Sequence, residues 1–352
     1  MRIYVNARQA LSDQKTGKAV YSQNLIANLK AKKDLKLTLL DQGFSSKLGL
    51  WHILTALKVR RDKPDIYFDP ESFITPFFVS LLTKSKVVVT VHDLVAFKFS
   101  KGHFLKAILI ERLFLPLLVK RKNVSFFCVS NFTKDQFIKH FKVDKSRVFI
   151  TPLGYESEQK PQKIKRKHVS KIRSQAPKIV CISTFLERKN QLSLVYEFSL
   201  IKDEIPHNLY LVGGGNIRYV NKVKNLITEL NLQDRVFITG FISNEEKNKL
   251  IKEAEFTVYP SLYEGFGIPL LESLSLGTPV ITTKRTVMQE VLQDAAIYFD
   301  PKKTTDLAFQ IKFLAGNHEQ QDQLLENAKK IIKKYTWTQT AASVYKAFKS
   351  LK

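Results

Sequence analysis

The sequence predicts an α/β protein built from two Rossmann-like, doubly wound domains, and three observations lead to this class. The chain has 352 residues, a length that suits two domains better than one or three. Short runs of β-branched and aromatic residues alternate with longer helical patterns, as in βαβ units. This alternation stops once, between Tyr155 and Lys178, and then starts again.

The first predicted domain, residues 1–155, alternates six short strand patterns with helical segments. These strands are expected at residues 3–5, 35–40, 66–68, 87–91, 126–129 and 148–151. The stretch at 156–177 is crowded with Lys and Arg and contains Pro161 and Pro177. It is therefore predicted to be a basic linker between domains.

The second predicted domain, residues 178–335, repeats the same organisation. Its strands are expected at residues 179–183, 209–212, 236–239, 257–259, 280–282 and 296–299. The remaining residues, 336–352, are predicted to form a helix that packs back on the first domain. Ligands of doubly wound sheets bind beyond the carboxyl ends of the strands, so a cleft between the two halves is the expected active site.

The net charge of +25 is the unusual feature of the composition, with 57 Lys and Arg against 32 Asp and Glu. Such an excess suits nucleic acid, an anionic membrane surface or phosphorylated ligands, and it also fits a Lys-rich solvated surface. A nucleic-acid-binding protein should interleave aromatic residues with its basic stretch, and residues 160–178 contain none. No nucleic-acid partner is therefore expected.

Cys128 and Cys181 each lie inside an apolar run, which is typical of buried thiols in a reducing compartment. The amino terminus reads as a strand and not as a signal peptide. No stretch reaches the roughly 20 uncharged apolar residues that a spanning helix requires. A cytoplasmic location is expected.

The most informative segment is residues 261–280, which follow a predicted strand and begin a helix near Pro269. Gly265 and Gly267 allow a ligand to approach the backbone, and a helix amino terminus favours an anion such as a diphosphate. Glu264 and Glu272 flank this position. Their carboxylates can accept hydrogen bonds from the vicinal hydroxyls of a ribose or a hexose.

This segment resembles the two-domain retaining glycosyltransferases of family four, the glycosyl transferases group 1, which have the GT-B fold. Their second domain carries two Glu separated by seven residues in the pattern EGFG-x-P-x-x-E, and Glu264 to Glu272 match it without gaps. The resemblance continues through residues 277–281, 289–291 and 294–301. It implies two Rossmann-like domains facing each other across a cleft.

The resemblance also implies roles for individual residues. Glu272 would bind the ribose of a nucleotide-sugar donor, and Glu264 would contact sugar hydroxyls beside the reacting carbon. The backbone around the glycines would hold sugar hydroxyls and phosphate; these residues are Gly265, Phe266, Gly267 and Ile268.

Arg188 and Lys189 lie in a second matching segment, just after the first strand of the second domain. Two cations at this position can neutralise a diphosphate leaving group, the largest electrostatic demand in breaking a glycosyl phosphate bond. The family usually has Gly where this chain has Ser183.

Further matches occur at other predicted strand ends. His92 resembles the family's His-Asp pair, whose imidazole contacts a sugar hydroxyl of the donor, and Ser130 matches a turn where it could equally be a helix cap. Gly17 matches the family's first Gly-rich loop. Gly214 matches a Gly-rich turn, and Phe241 follows a Gly whose neighbouring backbone meets the nucleobase in the family.

No Asp-x-Asp and no His or Cys cluster with metal-ligand spacing occurs in the sequence, so no metal and no cofactor are expected. Residues 103–123 combine apolar residues with basic edges. Such a helix can lie on anionic lipid, or it can be a buried helix with a basic end.

Together these features predict a retaining, metal-independent hexosyltransferase that moves a sugar from a nucleotide diphosphate donor to a glycan or lipid-linked acceptor. The expected setting is bacterial cell-surface polysaccharide or glycolipid synthesis, with peripheral attachment to the inner face of the cell membrane. The alternative is a catalytically silent glycosyltransferase-like partner subunit.

Overall fold

The computed structural model describes residues 1–11, 17–41, 49–99, 105–155 and 176–351 of the chain. Within these ranges the chain forms two compact units. The described part of the first unit comprises residues 1–11, 17–41, 49–99, 105–154 and 335–351, and that of the second comprises residue 155 and residues 176–334. Most of the predicted linker at 156–177 and of the first Gly-rich loop at 13–18 lies outside the described residues.

The first unit contains a six-stranded parallel sheet in the order β2-β1-β3-β4-β5-β6. Its strands are β1 (Arg2–Asn6), β2 (Lys36–Leu40), β3 (Ile66–Asp69), β4 (Lys86–Val91), β5 (Val124–Cys128) and β6 (Val148–Ile150). The central strands β3 and β5 are buried along their whole length, as expected when helices cover both faces of a parallel sheet.

Six helices connect these strands. They are α1 (Gly17–Lys30), α2 (Leu50–Asp62), α3 (Ile74–Leu82), α4 (Val95–Lys98), α5 (Leu105–Val119) and α6 (Asn131–Phe141), with both α4 and α5 between β4 and β5. Helix α2 packs against α3, and α3 packs against α5.

The second unit contains another six-stranded parallel sheet, in the order β12-β11-β10-β7-β8-β9. Its strands are β7 (Lys178–Ile182), β8 (Asn208–Val212), β9 (Val236–Gly240), β10 (Ala254–Tyr259), β11 (Val280–Thr283) and β12 (Ile297–Phe299). Its helices are α7 (Gln191–Ser199), α8 (Ile217–Glu229), α9 (Asn244–Glu253), α10 (Ile268–Ser275), α11 (Val287–Leu292), α12 (Asp306–Leu314) and α13 (His318–Lys334).

A last helix, α14 (Trp337–Ser350), belongs to the first unit and packs against α1. It begins at a capping box in which Thr336 and Gln339 satisfy each other's backbone N–H groups. Phe348 near its end lies between Phe68 and Phe127, with ring centroids 5.4 and 5.5 Å away. These aromatic contacts attach the helix to the core of the first sheet.

Both sheets are doubly wound, because the chain leaves the first strand of each in one direction and later returns to its other side. In the first unit β2 and β3 flank β1, and in the second β8 and β10 flank β7. The predicted fold class, α/β with two Rossmann-like units, is confirmed. None of the helices in the described ranges is both long and apolar enough to cross a membrane.

Candidate functional site

The second unit has its topological switch point between β7 and β10, which are neighbours in the sheet. Helix connections leave these two strands in opposite directions, so the loops at their carboxyl ends diverge and leave a crevice. The β7 loop carries Arg188 and Lys189 in a short 3-10 turn, and the β10 loop carries Glu264. The structure therefore brings Glu264 to two consecutive cations that lie about 75 positions earlier in the sequence.

Glu264 forms ion pairs with both cations. Arg188 donates from Nη1 to Glu264 Oε2 at 2.8 Å, and Lys189 donates from Nζ to the other carboxylate oxygen. All three side chains are largely buried, with 13–14% of each exposed. Ion pairs with so little access to water are screened much less than surface pairs.

Burial alone would raise the pKa of Glu264, but the charges of Lys189 and Arg188 and their hydrogen bonds outweigh it and lower that pKa to about 2. Burial lowers the pKa of Lys189, while Glu264 acts in the opposite direction. The carboxylate is therefore ionised at any physiological pH. The cluster therefore places two cations beside one carboxylate in a setting with little access to water.

Hydrogen bonds that involve the backbone also join the β10 loop, which carries Glu264, to the β7 loop, which carries Arg188 and Lys189. Leu262 N donates to the Arg188 carbonyl oxygen at 2.8 Å, and Arg188 Nη1 donates to the Tyr263 carbonyl oxygen at 3.0 Å. Gly267 then adopts a φ of +103°, a value that favours glycine, and α10 begins at Ile268 with Pro269 in its first turn. Gly265 and Phe266 lie between Glu264 and this turn, with Phe266 buried.

Glu272 lies about one turn into α10, as predicted, and it has a partner that the sequence did not indicate. Lys247 on α9 donates from Nζ to Glu272 Oε2 at 2.9 Å, and both side chains are about one-fifth exposed. No sequence spacing links residues 247 and 272, because their contact depends on how α9 and α10 are placed by the sheet. Lys247 is thus an addition to the predicted site.

Gly214 and Phe241 are in direct contact at the ends of β8 and β9. A Cβ atom on Gly214 would overlap the Phe241 ring, and Cβ atoms on Gly213 and Gly215 would overlap the backbone of the β7 loop. Close backbone approach therefore requires glycine at 213 and 215, whereas a side chain at 214 would have to displace the exposed Phe241 ring. The Phe241 side chain remains 83% exposed, which leaves a flat apolar surface at this edge of the sheet.

Ser183 stands where the resemblance noted in the sequence implies a glycine, and the structure accommodates it. Its hydroxyl accepts a hydrogen bond from Gln191 Nε2 at 2.8 Å, and its carbonyl oxygen faces Gly213. The side chain is thus held by the first turn of α7. The close approach in this chain occurs through Gly213.

In the first unit His92 lies at the carboxyl end of β4, as predicted, and its Nε2 is 2.9 Å from the Pro70 carbonyl oxygen. Burial, with Lys18 nearby, lowers the pKa of His92 to about 4, so the imidazole is neutral at pH 7. Ser130 caps α6 by accepting from Thr133 N at 3.0 Å. Gly17 is the first residue of α1.

A group of buried polar residues that the sequence did not single out lies at the switch point of the first unit, between β1 and β3. Asp69 accepts from Asn6 Nδ2 at 2.9 Å, and Glu71 accepts from the backbone of Gln9 and Ala10 at 2.9 and 3.1 Å. Burial raises the pKa of Asp69 to about 6 and that of Glu71 to about 7. The sequence did offer a signal for this group, because Asp69 ends the strand Ile66–Asp69 and Glu71 follows two residues later.

Within the described part of the chain, no three His, Cys, Asp or Glu side chains are grouped as a metal ion would require. The charged groups at the second switch point are instead two cations and a carboxylate. Such a set can bind a diphosphate through Arg188 and Lys189 and sugar hydroxyls through Glu264.

Comparison with known proteins gives a family match for the second unit. Residues 162–331 match the family model described as glycosyl transferases group 1. This range covers every predicted donor-binding residue except Gly17.

Two curated relatives are similar over longer stretches. The O-antigen chain mannosyltransferase RfbU of Salmonella typhimurium is 30% identical over 214 residues, which are 60% of this chain and 56% of that protein. The O-antigen chain mannosyltransferase B of Escherichia coli is 24% identical over 304 residues, 83% of this chain and 76% of that protein. The alignment thus spans little more than half the length of the first relative.

A solved structure is similar over almost the whole chain. Anabaena Alr3699/HepE, crystallised in complex with UDP and glucose, superposes with a TM-score of 0.75 at 16% identity, over 99% of this chain and 100% of that chain. At this identity the likeness concerns the fold alone. It confirms the GT-B fold class expected from the sequence.

Proposed function

Residues 162–331 of this chain belong to the glycosyl transferases group 1 family, and from this premise we propose that the protein is a glycosyltransferase. It moves a sugar from a nucleotide diphosphate donor to a hydroxyl of a glycan or lipid-linked acceptor. The observation that carries the proposal is the buried cluster of Arg188, Lys189 and Glu264 at the switch point of the second unit.

The transfer breaks the bond between the sugar's anomeric carbon and the donor phosphate oxygen, and it forms a bond from that carbon to the acceptor oxygen. Negative charge develops on the departing nucleoside diphosphate. Arg188 and Lys189 supply two positive charges in a site with little water, where electrostatic stabilisation is strongest. The ionised Glu264 accepts hydrogen bonds from the sugar hydroxyls.

Glu272 and the strand-end loops hold the remainder of the donor in this proposal. Glu272 accepts from the ribose hydroxyls, and the exposed ring of Phe241 packs on the nucleobase beside Gly214. The backbone N–H groups between Gly265 and Ile268 donate to phosphate and sugar oxygens at the start of α10.

We further propose that the sugar keeps its anomeric configuration and that no metal takes part. The acceptor hydroxyl attacks from the face that the diphosphate leaves, and its proton passes to a donor phosphate oxygen. Two protein cations take the place of a divalent metal at the diphosphate. The first unit binds the acceptor, and neutral His92 contacts a sugar hydroxyl of the donor.

The class of acceptor and donor sugar follows from the relatives, two of which are named O-antigen chain mannosyltransferases. We therefore propose a hexose donor and a cell-surface polysaccharide or glycolipid product of bacterial type. A lipid-linked acceptor places the reaction at the inner face of the cell membrane, with the protein attached peripherally.

A donor screen tests the proposal. Purified protein is titrated with UDP-, GDP-, dTDP- and ADP-sugars in EDTA, and Glu272→Ala is compared with the wild type. One nucleotide class should bind, and loss of the ribose hydrogen bonds to a charged acceptor should raise its Kd by about 10- to 100-fold. Matched affinities for the variant and the wild type would contradict the assigned role.

The screen also separates the enzyme from a catalytically silent partner subunit. A silent subunit would bind no nucleotide sugar, and the loss of Glu272 would change nothing that the assay measures. Donor hydrolysis or transfer in EDTA supports the enzyme without a metal. Transfer that appears only after Mg²⁺ or Mn²⁺ is added would overturn metal independence alone.

A second variant tests the role of Lys247. Replacing it with Met should raise the donor Kd about fivefold and leave kcat unchanged, because Glu272 loses the partner that orients its carboxylate; this corresponds to about 1 kcal/mol. Lys249→Met, on the same helix and exposed, is the matched control and should leave the Kd unaltered. An unchanged Kd in Lys247→Met would show that Glu272 needs no such support.

A further inference from the structure

Helix α5 has two different apolar sides. Ile108, Leu115 and Leu118 are buried against the first unit's core. On the opposite side, Leu105, Leu109 and Leu113 follow each other at every fourth position and are 57–70% exposed. One side of α5 is therefore core, as one of the two predicted alternatives has it, and the other side leaves an apolar row exposed.

The neighbouring helices extend this exposed surface. On α2, three apolar residues at helical spacing are 41–50% exposed, and α3 adds one that is 46% exposed. We call the whole set the leucine face: Leu50, Ile53, Leu57, Leu81, Leu105, Leu109 and Leu113.

The three helices lie side by side, so the leucine face spans adjacent elements. Helix α3 packs against both α2 and α5, and Phe77 of α3 contacts Phe114 of α5 with ring centroids 5.5 Å apart. Scattered single leucines on a surface are ordinary, but here α2 and α5 each carry an exposed apolar row on either side of α3, which adds Leu81. Grouped exposed apolar residues of this kind are typical of an interaction site.

Positive charge borders this face on one side. The three helices connect successive parallel strands and so run in the same direction, which places their carboxyl ends along one edge. Exposed cations lie at or just beyond these ends: Arg60, Arg61, Lys63, Lys84, Lys86, Lys120 and Lys122. The only acidic residues in the three helices are Asp62 and Glu111, and each faces a cation, Arg61 and Lys18 respectively.

We propose that the leucine face docks on an anionic lipid bilayer, with its aliphatic side chains in the acyl boundary and the basic edge against the headgroups. This specifies the surface behind the peripheral attachment proposed above and rests on that part of the proposed function. Protein interfaces are enriched in Tyr, Trp and Met at their centre, whereas the members of this face are all Leu or Ile. Aliphatic residues beside Lys and Arg are the composition of an interfacial surface.

Vesicle flotation tests the proposal with full-length protein. Wild type should float with vesicles that contain phosphatidylglycerol, should bind pure phosphatidylcholine weakly, and should lose binding as salt screens the basic edge. The triple variant Leu105→Gln, Leu109→Gln, Leu113→Gln should bind the vesicles at least about tenfold more weakly. Each of these leucines would otherwise move from water into the bilayer and contribute to the binding free energy. Equal flotation of the triple variant and the wild type would overturn the assignment.

The matched control removes exposed aromatic residues elsewhere. Phe309 and Phe313 on α12 of the second unit are 63% and 41% exposed, and Phe309→Gln, Phe313→Gln should float as the wild type does. Donor affinity should be unchanged in both variants. Wild-type protein that floats with anionic vesicles but binds no nucleotide sugar would instead count against the donor site and leave the leucine face supported.

A second measurement uses a fluorescent label at position 109 and leaves the other leucines of the leucine face in place. Leu109→Cys carries an exposed thiol for a polarity-sensitive fluorophore, while Cys128 and Cys181 are buried and burial raises their pKa values, that of Cys181 to about 12. Anionic vesicles should shift the emission of the Leu109→Cys label to the blue and leave a Phe309→Cys label unchanged. No shift at position 109, or a lipid-free dimer that the triple variant abolishes, would overturn the proposal.

Discussion

Glu264→Gln is expected to lower the free energy of unfolding of the second unit by about 3 kcal/mol and to reduce sugar transfer below detection. Arg188 and Lys189 would remain buried without an ionised partner, and breaking a buried pair from one side is strongly destabilising. For a unit of this size the change corresponds to a thermal transition about 6–12 °C lower. Differential scanning calorimetry measures it directly.

The same substitution at a more exposed ion pair provides the control. Lys178 and Glu253 form a pair in the same unit, with the Glu253 side chain 42% exposed, and Glu253→Gln should change stability by less than about 1 kcal/mol. Similar transitions for both variants would show that the pairing of Glu264 adds no stability.

The pH dependence of this difference follows from the pKa of Glu264. Because the folded-state pKa lies below the ordinary value, its contribution is complete above the unfolded pKa and is lost as pH falls toward about 2. The gap between Glu264→Gln and the wild type should therefore stay constant from pH 6 to 8. A gap that closes within this range would mean that Glu264 titrates there.

Ligand binding separates lost activity from lost structure in this variant. Without the carboxylate, the two cations have no competing anion, so a nucleoside diphosphate should bind Glu264→Gln at least as tightly as the wild type. Weaker binding would show that the diphosphate site needs Glu264 to hold Arg188 and Lys189 in place.

Much of the fold could be predicted from the sequence, because buried parallel strands leave continuous apolar runs. The strand predicted at 126–129 is an example, since Phe126, Phe127 and Cys128 are buried in β5, which begins two residues earlier at Val124. The start of β10 was missed by three residues, since Ala254 and Glu255 have low strand propensity. Glu255 is held there by His207, whose Nε2 lies 3.0 Å from Oε2, and this contact depends on the fold.

The candidate site could be predicted where its residues follow strands in a recognisable pattern. Glu264, Glu272, Arg188 and Lys189 belong to such segments. Lys247 could not be predicted from the sequence, because its contact with Glu272 joins two helices that are neighbours only in the folded unit. The leucine face is a similar case, since periodicity identifies apolar positions without showing which of them remain exposed.

Lys189→Met is the second change with a large expected effect, and it should reduce kcat by about 100- to 1000-fold. The charge on the departing diphosphate grows toward the transition state, so a buried cation beside it stabilises the transition state more than bound donor. Met keeps most of the length of the side chain, and Arg188 continues to pair with Glu264 at 2.8 Å. The fold should therefore be preserved while the reaction slows.

Steady-state kinetics with the donor found in the screen measures this effect, and Lys249→Met serves as the exposed control. The expected result is a large loss in kcat with a smaller rise in KM, because the ground-state diphosphate still contacts Arg188. A change confined to KM would mean that Lys189 binds donor and transition state equally. In that case stabilisation of the leaving group would rest on Arg188, and Arg188→Gln should then show the loss in kcat that Lys189→Met does not.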